Sequence, residues 1–172
     1  ICTGARNGIL IKGGNYLELL DEADTLILDK TGTLTEGRPQ VLSVVPLADG
    51  VGSRQLLELA AAAEETSTHP MAVAVIEKVR RSGYSIPRHG TAKVIVARGV
   101  ETDVNGGKVR VGSKRFMEES GIDLTVATEP VHKLVAAGEN ILYVADEHRL
   151  LGVLGIQDAL RENMKKALNR LR

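Results

Sequence analysis

The sequence of 172 residues predicts an α/β protein built from two unequal modules. Three observations carry this. The run Thr25 to Asp29 is continuously apolar until its last residue and includes two β-formers, so it reads as a strand buried on both faces. About 110 residues of mixed strand and helix pattern follow, with two hairpin signals. An amphipathic helix closes the chain. An early strand and a closing helix that bracket an insert imply an outer module assembled from both chain ends.

Element by element, Asn15 with Glu18 forms an approximate capping box for a helix from Tyr16 to Ala23. The strand at 25–29 places Asp29 at its carboxyl end, where open α/β sheets bind ligands. After a hinge at Gly37-Arg38-Pro39, Gln40 to Pro46 reads as a strand. Ser53 is expected to cap a helix running to Glu65, with Leu56, Leu57, Ala60 and Ala63 on one face. Pro70 suits the first turn of the next helix, which ends at Ser82 before Gly83. Thr91 to Val111 reads as strands broken by Asn105-Gly106-Gly107, a hairpin turn. Helices are expected over Ser113–Ser120 and 125–137, the second starting at Pro130. Ile141 to Ala145 and Leu150 to Ile156 form a hairpin around Glu147-His148. The last helix is expected to be capped by Asp158, with an apolar stripe of Leu160, Met164, Ala167, Leu168 and Leu171.

Composition excludes several classes. Twenty-two Lys and Arg balance 22 Asp and Glu, which removes the electrostatic footprint of a nucleic-acid binder. Aromatics are 2%, too few for stacking platforms. The longest strictly apolar run, Met71 to Ile76, is far short of the roughly 20 residues of a membrane helix. The amino terminus lacks a signal peptide's apolar core, and a lone Cys2 cannot form an internal disulfide; together these imply a reducing compartment and an inert thiol. His89, His132 and His148 have no partner at zinc-like spacing and are expected on the surface. The basic residues of the last helix (Arg161, Lys165, Lys166, Arg170, Arg172), set against Glu162, read as a solvated face.

The decisive stretch is Asp29-Lys30-Thr31-Gly32-Thr33-Leu34-Thr35. A carboxylate at a strand end can attack phosphorus to give an acyl phosphate. The amides and hydroxyls of the turn, with Lys30, offer donors to phosphoryl charge, and hard oxygen ligands suit Mg²⁺. A second cluster is Glu64 with Ser67-Thr68-His69-Pro70. His69 precedes a helix whose positive end disfavours imidazolium, so a neutral planar ring could face an adenine while Glu64 accepts from an exocyclic amine.

The heptapeptide 29–35 resembles the phosphorylation signature of P-type ATPases, a family within the haloacid-dehalogenase superfamily. By that resemblance Asp29 is the nucleophile and a Mg²⁺ ligand, the Thr31 carbonyl is a second ligand, and Lys30 and Thr33 hold the phosphoryl group. Soluble phosphatases of the superfamily carry an acid/base Asp where this chain has Thr31, so an aspartyl phosphate is expected to persist. The Glu64 and Ser-Thr-His-Pro cluster, with Ala97-Arg98-Gly99-Val100 and Val111-Gly112, resembles the nucleotide-binding domain of the heavy-metal-transporting subgroup. This implies ATP contacts from Glu64, His69, Gly99 and Gly112. Two positions depart from the subgroup's pattern: Thr68 replaces a Glu and Ala97 a Gly. Gly8 to Gly14 and Asp158-Ala159-Leu160-Arg161 are also similar to family segments, the latter to the point where the chain re-enters the phosphorylation domain.

The resemblance implies a nucleotide-binding domain of antiparallel sheet with flanking helices over 37–150. It would be inserted in an incomplete, Rossmann-type phosphorylation domain made of 1–36 and 151–172. Later family motifs have no counterpart before Arg172, so the chain is expected to be a piece of a longer transporter. That parent would couple ATP hydrolysis to heavy-metal cation transport from the cytoplasmic face of a membrane. Its membrane and actuator domains would be the partners and its cation would be bound elsewhere. The alternatives are a soluble phosphatase of the same superfamily and a non-catalytic nucleotide-binding or interaction module.

Overall fold

The computed structural model describes residues 2–161 and 163–170, with the main chain alone for Lys30, Thr31 and Lys165. The expected roles of Leu171, Arg172 and Glu162 in the last helix lie outside the described residues. Two compact units emerge, residues 1–30 and 31–172. The first holds two short helices, α1 (Cys2–Arg6) and α2 (Asn15–Asp21), followed by coil. α2 starts from Gly14 with no side-chain cap, so the Asn15 capping box does not form.

The strand expected at 25–29 is absent: the segment is coil, and Ile27 is 92% exposed. A strand buried on both faces needs a pairing partner on each side, and no strand of the described sheet pairs with this segment. Asp29 accordingly sits in exposed coil.

The second unit is one antiparallel sheet of six strands in the order β1-β6-β5-β4-β3-β2. These are β1 (Thr35–Pro46), β2 (Lys93–Ile95), β3 (Gly99–Val104), β4 (Gly107–Gly112), β5 (Asn140–Ala145) and β6 (Leu150–Leu160). Both expected hairpins form. Asn105 (φ 53°) and Gly106 (φ 84°) supply the two left-handed positions that match a two-residue turn to strand twist. Alternation along the central strands separates two cores. Val144, Leu154 and Ile156 face α3 (Ser53–Glu64) and α4 (Pro70–Arg81), whereas Tyr143, Ala145 and Val153 face α5 (Lys114–Glu119) and α6 (Thr128–Ala136). Ala60 to Ala63 have no exposed surface, because α3 is enclosed between the sheet and α4 and only small side chains permit that approach.

The helix starts differ in detail from the expectation. α3 is preceded by Gly52, so Ser53 is its first residue and does not cap it. α6 begins at Thr128 after a single turn at 125–127; Pro130 is tolerated because first-turn amides have no helical acceptor. The largest correction concerns Asp158. It lies within β6, not at a helix start, and the last helix, α7, spans Met164–Arg170. Leu160 is correspondingly at an exposed strand end and not on a helical stripe.

Candidate nucleotide cavity and phosphorylation loop

The four residues expected to touch nucleotide meet at one end of the sheet. Glu64 closes α3, His69 caps α4, Gly99 opens β3 and Gly112 ends β4, and all four line a cavity of about 350 Å³. His69 Nδ1 accepts from Met71 N (3.2 Å), which leaves the ring proton on Nε2. Pro70 at the first helical position has no amide to satisfy, so the histidine serves the next one. Ser67 hangs from the same turn, its amide donating to the Glu64 carbonyl (2.9 Å) and its hydroxyl accepting from His69 N (3.3 Å). Glu64 is 6% exposed, and this burial pushes its carboxyl above the ordinary value of 4.5; the Ser67 hydroxyl opposes the shift.

Gly99 and Gly112 are paired across the β3–β4 ladder. A Cβ on Gly99 would lie 2.2 Å from the Val111 carbonyl and 2.8 Å from Phe116 Cδ1; one on Gly112 would lie 2.4 Å from the Arg98 carbonyl and 2.9 Å from the same ring atom. These glycines therefore let two backbones and the Phe116 ring close together, and Phe116, outside every recognised motif, is 5% exposed over the pair. Ala97, where the related pattern has glycine, stands at φ 57° on the cavity rim and takes up the left-handed turn without losing its methyl group.

Lys30 to Leu34 form a single π-helical turn. The side chains of Lys30 and Thr31 lie outside the described residues; Thr33 is exposed. What holds the turn was missed by sequence reading. Gly32, at φ 80°, donates its amide to Thr35 Oγ (3.0 Å), and the buried Thr35 hydroxyl donates to Asp158 Oδ2 (2.5 Å). The Asp158 carboxylate also accepts from Gly37 N (3.1 Å) and Arg38 N (2.9 Å), amides left over where the β1–β6 register shifts. Arg161 completes the clamp: Nε donates to the Thr33 carbonyl (3.2 Å), a terminal guanidinium nitrogen to Gly32 O (3.0 Å), and its amide to Leu34 O (3.0 Å). The expected solvated arginine is thus a loop anchor.

His89 is likewise no free surface residue: its Nε2 is 2.6 Å from Glu65 Oε2, a partner 24 positions away that local spacing cannot reveal. His132 and His148 are exposed, and among the described residues no group of three His, Cys, Asp or Glu is arranged to hold a metal. No described helix is long and apolar enough to cross a membrane.

The chain belongs to the haloacid dehalogenase-like hydrolases: the family model of that description matches residues 23–172. Within it the chain is a homologue of heavy-metal P-type ATPases. It is 36% identical over 169 residues to the silver-exporting P-type ATPase of Salmonella typhimurium, covering 98% of this chain and 20% of that protein. It is 37% identical over 173 residues to the zinc-exporting P-type ATPase of Mycobacterium marinum, covering 100% and 24%. Among solved structures, a zinc-transporting PIB-type ATPase in its E2.Pi state superposes with a TM-score of 0.79 at 34% identity, covering 98% of this chain and 27% of that one. The catalytic domain of the CPx-ATPase CopB-B, described in terms of conformational change upon nucleotide binding, gives 0.67 at 26% identity, covering 95% and 55%. The chain therefore spans only 20% to 24% of the length of these curated relatives.

Proposed function

We propose that this chain supplies the ATP-binding and phosphorylation region of a heavy-metal P-type ATPase. The observation that carries the reading is the meeting of Glu64, His69, Gly99 and Gly112 around one cavity, from four segments of sequence. Adenine would lie against the neutral His69 ring with its exocyclic amine directed to Glu64, a buried acceptor that water does not reach easily. Gly99 and Gly112 would present only main chain to the ligand.

In the phosphoryl-transfer step, an Asp29 carboxylate oxygen forms a bond to the γ-phosphorus of ATP, the bond from that phosphorus to the bridging oxygen breaks, and ADP leaves with the electron pair. Lys30 and the Thr33 hydroxyl would steady the phosphoryl oxygens. The donor set suits Mg²⁺: the Asp29 carboxylate and Thr31 carbonyl are hard oxygens, and a Mg²⁺ site with few protein ligands fills its octahedron from phosphate and water. When bound there the ion would offset negative charge between carboxylate and phosphate. Thr31 cannot deliver a carboxylate's proton transfer, so the acyl phosphate would outlive that of a phosphatase. The functional division would be 1–36 and 151–172 for phosphorylation and 37–150 for nucleotide. The membrane and actuator domains of the parent, and its transported heavy-metal cation, would complete the machine.

Titration with a non-hydrolysable ATP analogue should shift amide resonances around the four cavity residues. His69→Ala should weaken binding about two- to tenfold, the range of an aromatic contact, and more than Phe116→Leu does. No shift at those amides, or equal losses from the two variants, would show that the pocket has been misread.

A further inference from the structure

His89 makes two hydrogen bonds whose partners are both acceptors. Nδ1 is 2.8 Å from the Gly90 carbonyl and Nε2 is 2.6 Å from the Glu65 carboxylate. A neutral imidazole carries one N–H, so it can satisfy only one of them; both are satisfied only by imidazolium. The ring is held on the sheet side: His89 bridges to Val104, Gly90 N donates to Asp103 O (2.8 Å), and the Thr102 hydroxyl donates to Gly90 O (3.0 Å). From that fixed position it reaches Glu65, the residue that follows α3 and opens the turn bearing Ser67 and His69. Glu64, Ser67 and His69, from the end of α3 and the turn after it, line the cavity together with Gly99 and Gly112 of the sheet.

We propose that His89 is a positioning residue for this cavity: as imidazolium it clasps Glu65 and holds the 64–69 turn against the sheet, and loss of its proton releases the turn and weakens nucleotide binding. The proposal rests on reading the cavity as the nucleotide site. The Gly90 carbonyl facing one nitrogen raises its proton affinity most, and the Glu65 carboxylate, the charge that acts on the ring, raises it further, while burial, with 13% of the side chain exposed, works against them. Folded His89 therefore binds its proton more tightly than the ordinary value of 6.5, and the clasp is complete below that value and undone as pH rises through the raised one.

The test uses adenosine, which carries no phosphate to titrate, with the intact 172-residue chain. Its affinity should fall about two- to fivefold between roughly pH 6 and pH 8.5, the scale of a partly exposed charge pair, in step with the ring resonances of His89. His89→Gln should remove the slope, and Glu65→Gln should do the same by a different route. A flat wild-type profile while the His89 ring titrates, or a slope that survives both substitutions, overturns the clasp. Absence of adenosine binding at every pH overturns the nucleotide reading instead. The clasp is then judged by amide exchange in residues 65–69: a fall in protection relative to the intrinsic base-catalysed rate as His89 deprotonates supports it, and unchanged protection refutes it.

Discussion

Replacing Asp158 with alanine should unlock the turn that follows Asp29, and the cost can be worked from its bonds. The carboxylate accepts from Thr35 Oγ at 2.5 Å, Gly37 N at 3.1 Å and Arg38 N at 2.9 Å. Thr35 is fully buried, so losing a bond between its hydroxyl and a charge costs about 1.5–3 kcal/mol. Gly37 and Arg38 are exposed and their amides can turn to water, adding only about 0.5 kcal/mol each. The sum, about 2.5–4 kcal/mol, corresponds to a midpoint lower by about 7–12 °C at roughly 3 °C per kcal/mol for a unit of this size. Thermal unfolding would measure the total, and amide exchange across 32–38 would localise it. Asp158→Asn keeps one carbonyl acceptor and should lose less than half as much. A loss below about 0.5 kcal/mol, or exchange raised equally throughout the sheet, would show that the clamp does not hold the turn.

Two further outcomes follow from the cavity. Gly99→Ala should destabilise by about 1–3 kcal/mol or more, the cost of overpacking, because the new methyl meets the Val111 carbonyl, which cannot rotate away; adding Phe116→Leu should restore only part of it, and full restoration would mean the backbone is not the obstacle. Glu64→Gln should raise the unfolding midpoint at neutral pH while weakening nucleotide binding. Burial lifts the folded carboxyl above 4.5, so the ionised form costs stability once pH exceeds that value and the gain should vanish below it. A midpoint difference independent of pH would refute this.

The six-stranded sheet was legible in sequence because its signals are local. Asn105-Gly106 can hardly form anything but a hairpin, and Pro70 with Gly83 brackets α4 to within a residue. The Glu64 and His69 cluster was legible too, through spacing around one turn. The strand at 25–29 failed for the opposite reason: its apolar run specifies burial between neighbours, and in this chain none of the six strands of the sheet takes that place. Asp158 and Arg161 were misread as a helix cap and a solvated cation because an aspartate ahead of the apolar spacing Leu160, Met164, Ala167, Leu168 fits a helix start equally well. Their true partners, Thr35 and Gly32, are more than 120 positions away. The same separation hid Phe116 beneath the glycine pair and His89 beside Glu65, since nothing in local periodicity predicts which strand edge a loop will touch.

The pairing of β1 with β6 brings the two ends of the sheet's chain together. The chain enters the sheet along β1 and leaves along β6, and Pro39 and Asp158 face each other across that ladder, so the two points of attachment are separated by no more than the width of a strand pair, about 5 Å. Residues 40–157, however many elements they hold, therefore begin and end side by side as the residues of a single loop do. The first and last strands of the sheet, in chain order, thus close it like the two legs of one hairpin, with the ladder broken near that end between Thr35 and Pro39.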